Sequence, residues 1–185
     1  MGNNKRRYLS WVVLAGMALA WQRHRSRRRY PQSHVSAKDA GFIKRAVLLE
    51  AQQVPFYHQL ALQARRTGRV HLEAGFLKAM EVEADHLRDL KVAGRRLGIK
   101  LVFWEQLGER IGGLTGSIAT KLDPRVGLLA IRNLESVAAR EYARARRQVA
   151  DTNLQQLYLS NQLDEEIHQA WAALMLKSSE QGQLE

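Results

Sequence analysis

Residues 83–86 read EADH and residues 165–168 read EEIH, so a glutamate and a histidine three positions apart occur twice, each time inside a long helical pattern. Residues at that spacing lie on one face of an α-helix, which lets both side chains reach a single point without bending the backbone. Scattering 12 glutamates and 6 histidines at random over 185 positions would yield roughly 0.4 such pairs. The chain has no cysteine, which removes disulfides, iron–sulfur clusters and thiolate zinc sites, so any metal must be held by carboxylate and imidazole.

The helical patterns have clear ends. SAKD, from Ser36 to Asp39, has the shape of a capping box and opens a helix running to about Arg66, where Thr67-Gly68-Arg69 stops it. A second helix runs from about Val70 to Leu97 and closes at Gly98. Asp123-Pro124 starts a third, with Asp as N-cap and Pro in the first turn, that reaches about Val149. Asp151-Thr152-Asn153 interrupts the pattern, and a fourth helix continues to about Lys177. Strand-like alternation is nearly absent, so the predicted fold is all-α, a four-helix bundle. Pro55 is expected to kink the first helix.

Each bundle helix brings one carboxylate to the interior. The first helix has a single glutamate, Glu50, within AVLLEAQQVPFY; the second has Glu83 with His86, the third Glu135, and the fourth Glu165 with His168. The order E, ExxH, E, ExxH is that of a ferritin-like di-iron carboxylate site, so the expected fold is a ferritin-like four-helix bundle. Four carboxylates offset the four positive charges of two ferrous ions, and the mixed oxygen and nitrogen donors suit two Fe ions, with Mn as the alternative. The plain alternative makes Glu83 a solvated partner of Lys78 or Arg88, and His168 a surface residue. His24, His34, His58 and His71 read as surface or tail residues.

The net charge of +11 invites a nucleic-acid reading, but residues 1–38 hold nine bases and no acid, while the other 147 residues carry 20 bases against 18 acids. The body is nearly neutral, which argues for no nucleic acid partner. Within the basic segment, the apolar run Leu9–Trp21 would make a helix about 20 Å long, short of a hydrocarbon core of about 30 Å. It reads as an anchor lying at a membrane interface or as an organelle presequence. A disordered basic tail is the bland alternative, and the five arginines after Ala18-Leu19-Ala20 argue against export. The expected organisation is an N-terminal anchor or targeting segment over 1–38, the di-iron domain over 39–178 and a tail over 179–185.

Between the second and third bundle helices lies IKLVFWEQLGERIGGLTGSIATKL, residues 99–122. Gly108, Gly112 and Gly116 recur every four residues and permit close approach to a neighbouring helix. Leu101, Val102, Phe103, Trp104, Ile111, Leu114 and Ile118 supply an apolar surface that could dock on a membrane, line a channel for a greasy substrate, or pack on the bundle.

Over about residues 43–178, through EADH, FWEQLG, GGLTG, LESVAAREY and DEEIH, the chain resembles the demethoxyubiquinone hydroxylases of ubiquinone biosynthesis. The resemblance implies metal ligands at Glu50, Glu83, His86, Glu135, Glu165 and His168, with Tyr142 as the tyrosine near the iron centre. It implies a membrane-associated insertion between core helices 2 and 3. The implied activity is a di-iron monooxygenase that hydroxylates the ring of a polyprenyl quinol, with O2 and NADH as co-substrates. The implied setting is peripheral, on the cytoplasmic face of a bacterial inner membrane or the matrix face of the mitochondrial inner membrane. Homo-oligomers and partner proteins of ubiquinone biosynthesis are compatible with it. LLEAQQVPFY departs from the family's more polar stretch at the first ligand, and Glu141 stands where a histidine is common. Two competing functions share these residues: a ferroxidase, manganese catalase or peroxidase on the same scaffold, and a nonenzymatic basic protein of the membrane surface.

Overall fold

The computed structural model describes residues 36–180, which form five α-helices and no strand. The anchor or targeting segment read over 1–38 falls almost wholly outside the described residues, as do residues 181–185 of the tail. The helices are α1 (Ala37–Arg66), α2 (Val70–Arg96), α3 (Val102–Ala119), α4 (Pro124–Gln148) and α5 (Thr152–Glu180). The chain is therefore an all-α helical bundle.

Local chemistry sets the boundaries. The Ser36 hydroxyl accepts from the Asp39 amide at 3.1 Å, and the Asp123 carboxylate accepts from the Arg125 amide at 2.8 Å, with Pro124 opening α4. Gly68 (φ +70°) and Gly98 (φ +69°) close α1 and α2. At Gly98 the amides of Ile99 and Gly98 return to the carbonyls of Gly94 and Arg95, and at Gly68 the amides of Arg69 and Gly68 return to Ala64 and Arg65. These paired bonds require a left-handed residue, which glycine supplies without a Cβ penalty. Helix α1 runs on through Pro55 as one element.

Short links at 67–69 and 149–151 fold α1 back on α2 and α4 back on α5, and each pair packs along its length. The two pairs approach each other less closely across the bundle, leaving room for long side chains. One end of that interior is apolar, with Phe42, Ile43, Val47, Leu90, Leu154 and Tyr158 buried together. The other end buries Leu60, Leu72, Phe76, Leu128, Ile131 and Trp171.

Helix α3 lies against α1. Its glycines make that approach possible: a Cβ at Gly112 would collide with the Gln52 carbonyl oxygen, and one at Gly108 would reach the Leu48 carbonyl oxygen at 2.5 Å. The outward side of α3 leaves Val102, Phe103, Leu114 and Ile118 more than half exposed. Leu101 differs from the expected surface. It precedes the helix and turns inward, 6% exposed, against Gly94, where a side chain would exclude it.

Candidate metal centre

The paired helices place Glu50 (α1), Glu83 and His86 (α2), Glu135 (α4), and Glu165 and His168 (α5) between the two apolar ends, and none of the six exceeds 2% exposure. Burying this many ionisable groups is costly unless they are paired or coordinate a metal. The side chains form two overlapping quartets, Glu50–Glu83–His86–Glu165 and Glu83–Glu135–Glu165–His168, with donor atoms in each lying within 4.8 Å of one another. Glu83 and Glu165 belong to both quartets. Each quartet adds one carboxylate and one imidazole of its own.

Geometry decides against the solvated alternatives. Lys78 pairs with Glu81 at 2.9 Å and Arg88 with Asp85 at 2.7 Å, whereas Glu83 turns inward. His168 is buried, while His58 and His71 are exposed on the outside of their helices. His24 and His34 lie outside the described residues.

The inward atoms are close but poorly matched to one another. His86 Nδ1 lies 3.4 Å from Glu83, 3.5 Å from Glu165 and 3.6 Å from Glu50, and His168 Nδ1 lies 2.8 Å from Glu83 and 3.7 Å from Glu165. Yet Glu50 Oε2, both oxygens of Glu83 and of Glu165, and the Nδ1 atoms of His86 and His168 have no hydrogen-bond partner. Buried polar atoms are seldom left so. Seven of them converging from three helices, with Glu135 of α4 beside them, match the donor set of a two-metal carboxylate centre, so the residues present could hold metal ions.

Electrostatics within the cluster divide the protons. Burial, and then the Glu165 and Glu83 carboxylates, push Glu50 and Glu135 well above the usual carboxylate range. Burial acts the same way on Glu83 and Glu165, but the imidazoles of His168 and His86 outweigh it and hold both low. Burial alone would lower the histidines. Instead Glu165 and Glu83 carry His168 up to about 9, and Asp164 with Glu165, Glu50 and Glu83 carries His86 well up. Glu83 and Glu165 are thus biased towards the anion, His86 and His168 towards the cation, and Glu50 and Glu135 towards the neutral carboxyl.

Tyr142, expected beside the centre, donates its hydroxyl to Glu50 and accepts from Asn161 Nδ2 at 3.1 Å. Asn161, Tyr57, Gln53 and Asp164 are the neighbours that the sequence reading missed. Tyr57 donates to Glu135 Oε1, and Gln53 Nε2 donates to Glu135 Oε2 at 2.8 Å. Asp164 Oδ2 lies 3.1 Å from His86 Nε2. A signal for Tyr57 was present: it follows Glu50 by seven residues, as Tyr142 follows Glu135. Each tyrosine crosses the bundle to the glutamate of the other helix. The pattern is a quasi-two-fold relation exchanging α1 with α4 and α2 with α5.

Compared with family models, curated proteins and solved structures, the chain finds no match in any of the three.

Proposed function

We propose that this protein is a di-iron monooxygenase of the demethoxyubiquinone hydroxylase type, built on a ferritin-like bundle with α3 as an apolar insertion, and acting on the ring of a lipid quinol at a membrane surface. The observation that carries the reading is the convergence of seven orphaned oxygen and nitrogen atoms from Glu50, Glu83, His86, Glu165 and His168 at the bundle centre. When bound, a reduced metal pair supplies activation of dioxygen, with NADH as the source of electrons.

The chain's own residues supply the rest. Glu83 and Glu165, which belong to both quartets, would be common to two metal positions, and Glu50 with His86, and Glu135 with His168, would complete one position each. The Tyr142 hydroxyl, fixed by Asn161, holds the Glu50 carboxylate in one orientation. The apolar layers at either end, including Phe76 tilted against Tyr57 and edge-on to Trp171, exclude bulk water from the carboxylates. Manganese fits the same donors.

The outward side of α3 favours a lipid-facing hydroxylase over a ferroxidase, catalase or peroxidase acting on small soluble substrates. Phe103 (66% exposed), Leu114 (65%) and Ile118 (52%) present apolar surface that a storage or peroxide-consuming bundle has no need of. Among the described residues no helix is long and apolar enough to cross a membrane, so association through α3 would be peripheral. The test is the iron content of the purified protein, followed by oxygenation of a short-tailed demethoxyquinol with NADH. About two irons per chain, lost in a Glu135→Ala, His168→Ala double variant, together with ring hydroxylation, is the expected outcome. A folded protein that binds neither iron nor manganese would refute the reading and leave the nonenzymatic membrane-surface function in its place.

A further inference from the structure

The two halves of the centre are related by the quasi-two-fold axis but differ in what stands behind their ligands. His86 Nε2 faces Asp164 at 3.1 Å. The residue matching Asp164 on α2 is Val82, one before Glu83 as Asp164 is one before Glu165, and it carries no acceptor. The carboxylates paired with His168, Glu83 and Glu165, both approach it through Nδ1, the metal-facing nitrogen. A carboxylate behind a ligating imidazole fixes the ring and raises its basicity.

The terminal carboxylates differ in the same direction. Glu50 accepts from Tyr142 on one oxygen, and its Oε2 remains without a partner inside the cluster. Glu135 is engaged on both oxygens, by Tyr57 on Oε1 and by Gln53 on Oε2. The residue matching Gln53 on α4 is Ala138, which can donate nothing to Glu50. Donors on both oxygens compete with a cation for the same lone pairs.

We propose that the two metal positions are unequal, and that a divalent cation fills the Glu50–His86 position first and more tightly and the Glu135–His168 position second. The inference rests on the two-metal reading above and adds the order of loading and the residues that set it. Asp164 strengthens the first position through His86. Gln53 weakens the second through Glu135. The second position is then the one with the weaker carboxylate.

The test is calorimetric titration of the metal-free full chain with Co2+, with helical circular dichroism as a folding control. The wild type is expected to bind in two resolved steps of one ion each. Asp164→Asn should weaken the first step roughly 10–100-fold, the usual effect of removing a carboxylate behind a metal-bound histidine, and leave the second in place. Gln53→Leu should tighten the second step without moving the first, an independent check should the Asp164 variant fold poorly. Two indistinguishable steps in the wild type, or an Asp164→Asn effect confined to the second step, would overturn the proposal while leaving the two-metal reading intact. A wild type that binds no Co2+ would overturn that reading itself.

Discussion

Metal loading should expel up to about four protons for each pair of ions, a bound set by the four groups of the buried cluster that are biased towards their protonated forms. In the metal-free protein Glu83 and Glu165 are held anionic, His86 and His168 are raised, and Glu50 and Glu135 are pushed up towards their neutral form. Ligation requires every carboxylate ionised and every imidazole neutral at its metal-facing nitrogen. Two divalent cations should therefore displace up to one proton each from Glu50, Glu135, His86 and His168. Each displaced proton makes the binding constant tenfold larger per pH unit, so from pH 6 to 7 the constant for the pair should rise by up to about 10⁴, or roughly 5 kcal/mol. Calorimetric titration with Mn2+ in two buffers of different ionisation enthalpy at pH 6.5 counts the protons directly. About two or fewer per pair would show that the carboxyls are already ionised in the metal-free state and would refute this account of how the cluster tolerates burial.

The same groups set the stability of the metal-free protein. His168 is raised from 6.5 to about 9, so the stability it contributes is complete below about pH 6.5 and is lost as the pH climbs through about 9. The metal-free melting temperature should fall over that interval, and a rise would contradict the pairing with Glu83 and Glu165. Gly112→Ala should cost about 1–3 kcal/mol in denaturant unfolding, because its Cβ must push α3 away from the Gln52 carbonyl. The adjacent Gly113→Ala meets nothing within 4 Å and should stabilise by about 0.5–1 kcal/mol, so equal effects at the two positions would refute the seating of α3. Leu114→Glu with Ile118→Glu should weaken sedimentation with anionic vesicles by at least about tenfold while leaving the melting temperature unchanged. Undiminished vesicle binding would remove α3 from the membrane surface.

Most of what positions the centre is local chemistry and was legible in the sequence. Gly68 and Gly98 end their helices because only glycine takes the left-handed conformation at no cost, and Asp123-Pro124 opens α4 by supplying an acceptor and a preset φ. The Glu-x-x-His spacing put both members of each pair on one helical face, and the face proved to be the interior one. What stayed hidden depends on distances between helices. Asp164 stands beside Glu165 in a run of acids, and no periodicity shows that it reaches across to His86 on α2. Gln53 and Asn161 look like ordinary helix-surface amides until the packing turns them inward. Leu101 was counted with the apolar surface of α3 because composition cannot tell a residue on the helix from one in the preceding turn.

The cluster also bears on why such a bundle would keep these residues. Six ionisable side chains at mid-height add little apolar burial, and their mutual pairing is imperfect, with seven inward atoms unpartnered. Replacing a buried ionic group by apolar side chains of similar volume is often neutral or stabilising, so a chain shaped for folding alone would fill this space with leucine, as it does on both sides with Leu60, Leu72, Leu90 and Leu128. The apolar ends carry the stability and the centre departs from it. The departure is also organised: the six ligands and the two tyrosines recur at the same offsets on α1 and α4 and on α2 and α5, while Asp164, Gln53 and Asn161 break the relation where a ligand, or the tyrosine behind it, is supported or restrained. An accident of packing would have no reason to repeat the pattern across the bundle, nor to bias the exceptions toward the same half. A site that holds two cations of unequal affinity accounts for the repetition and for the exceptions together.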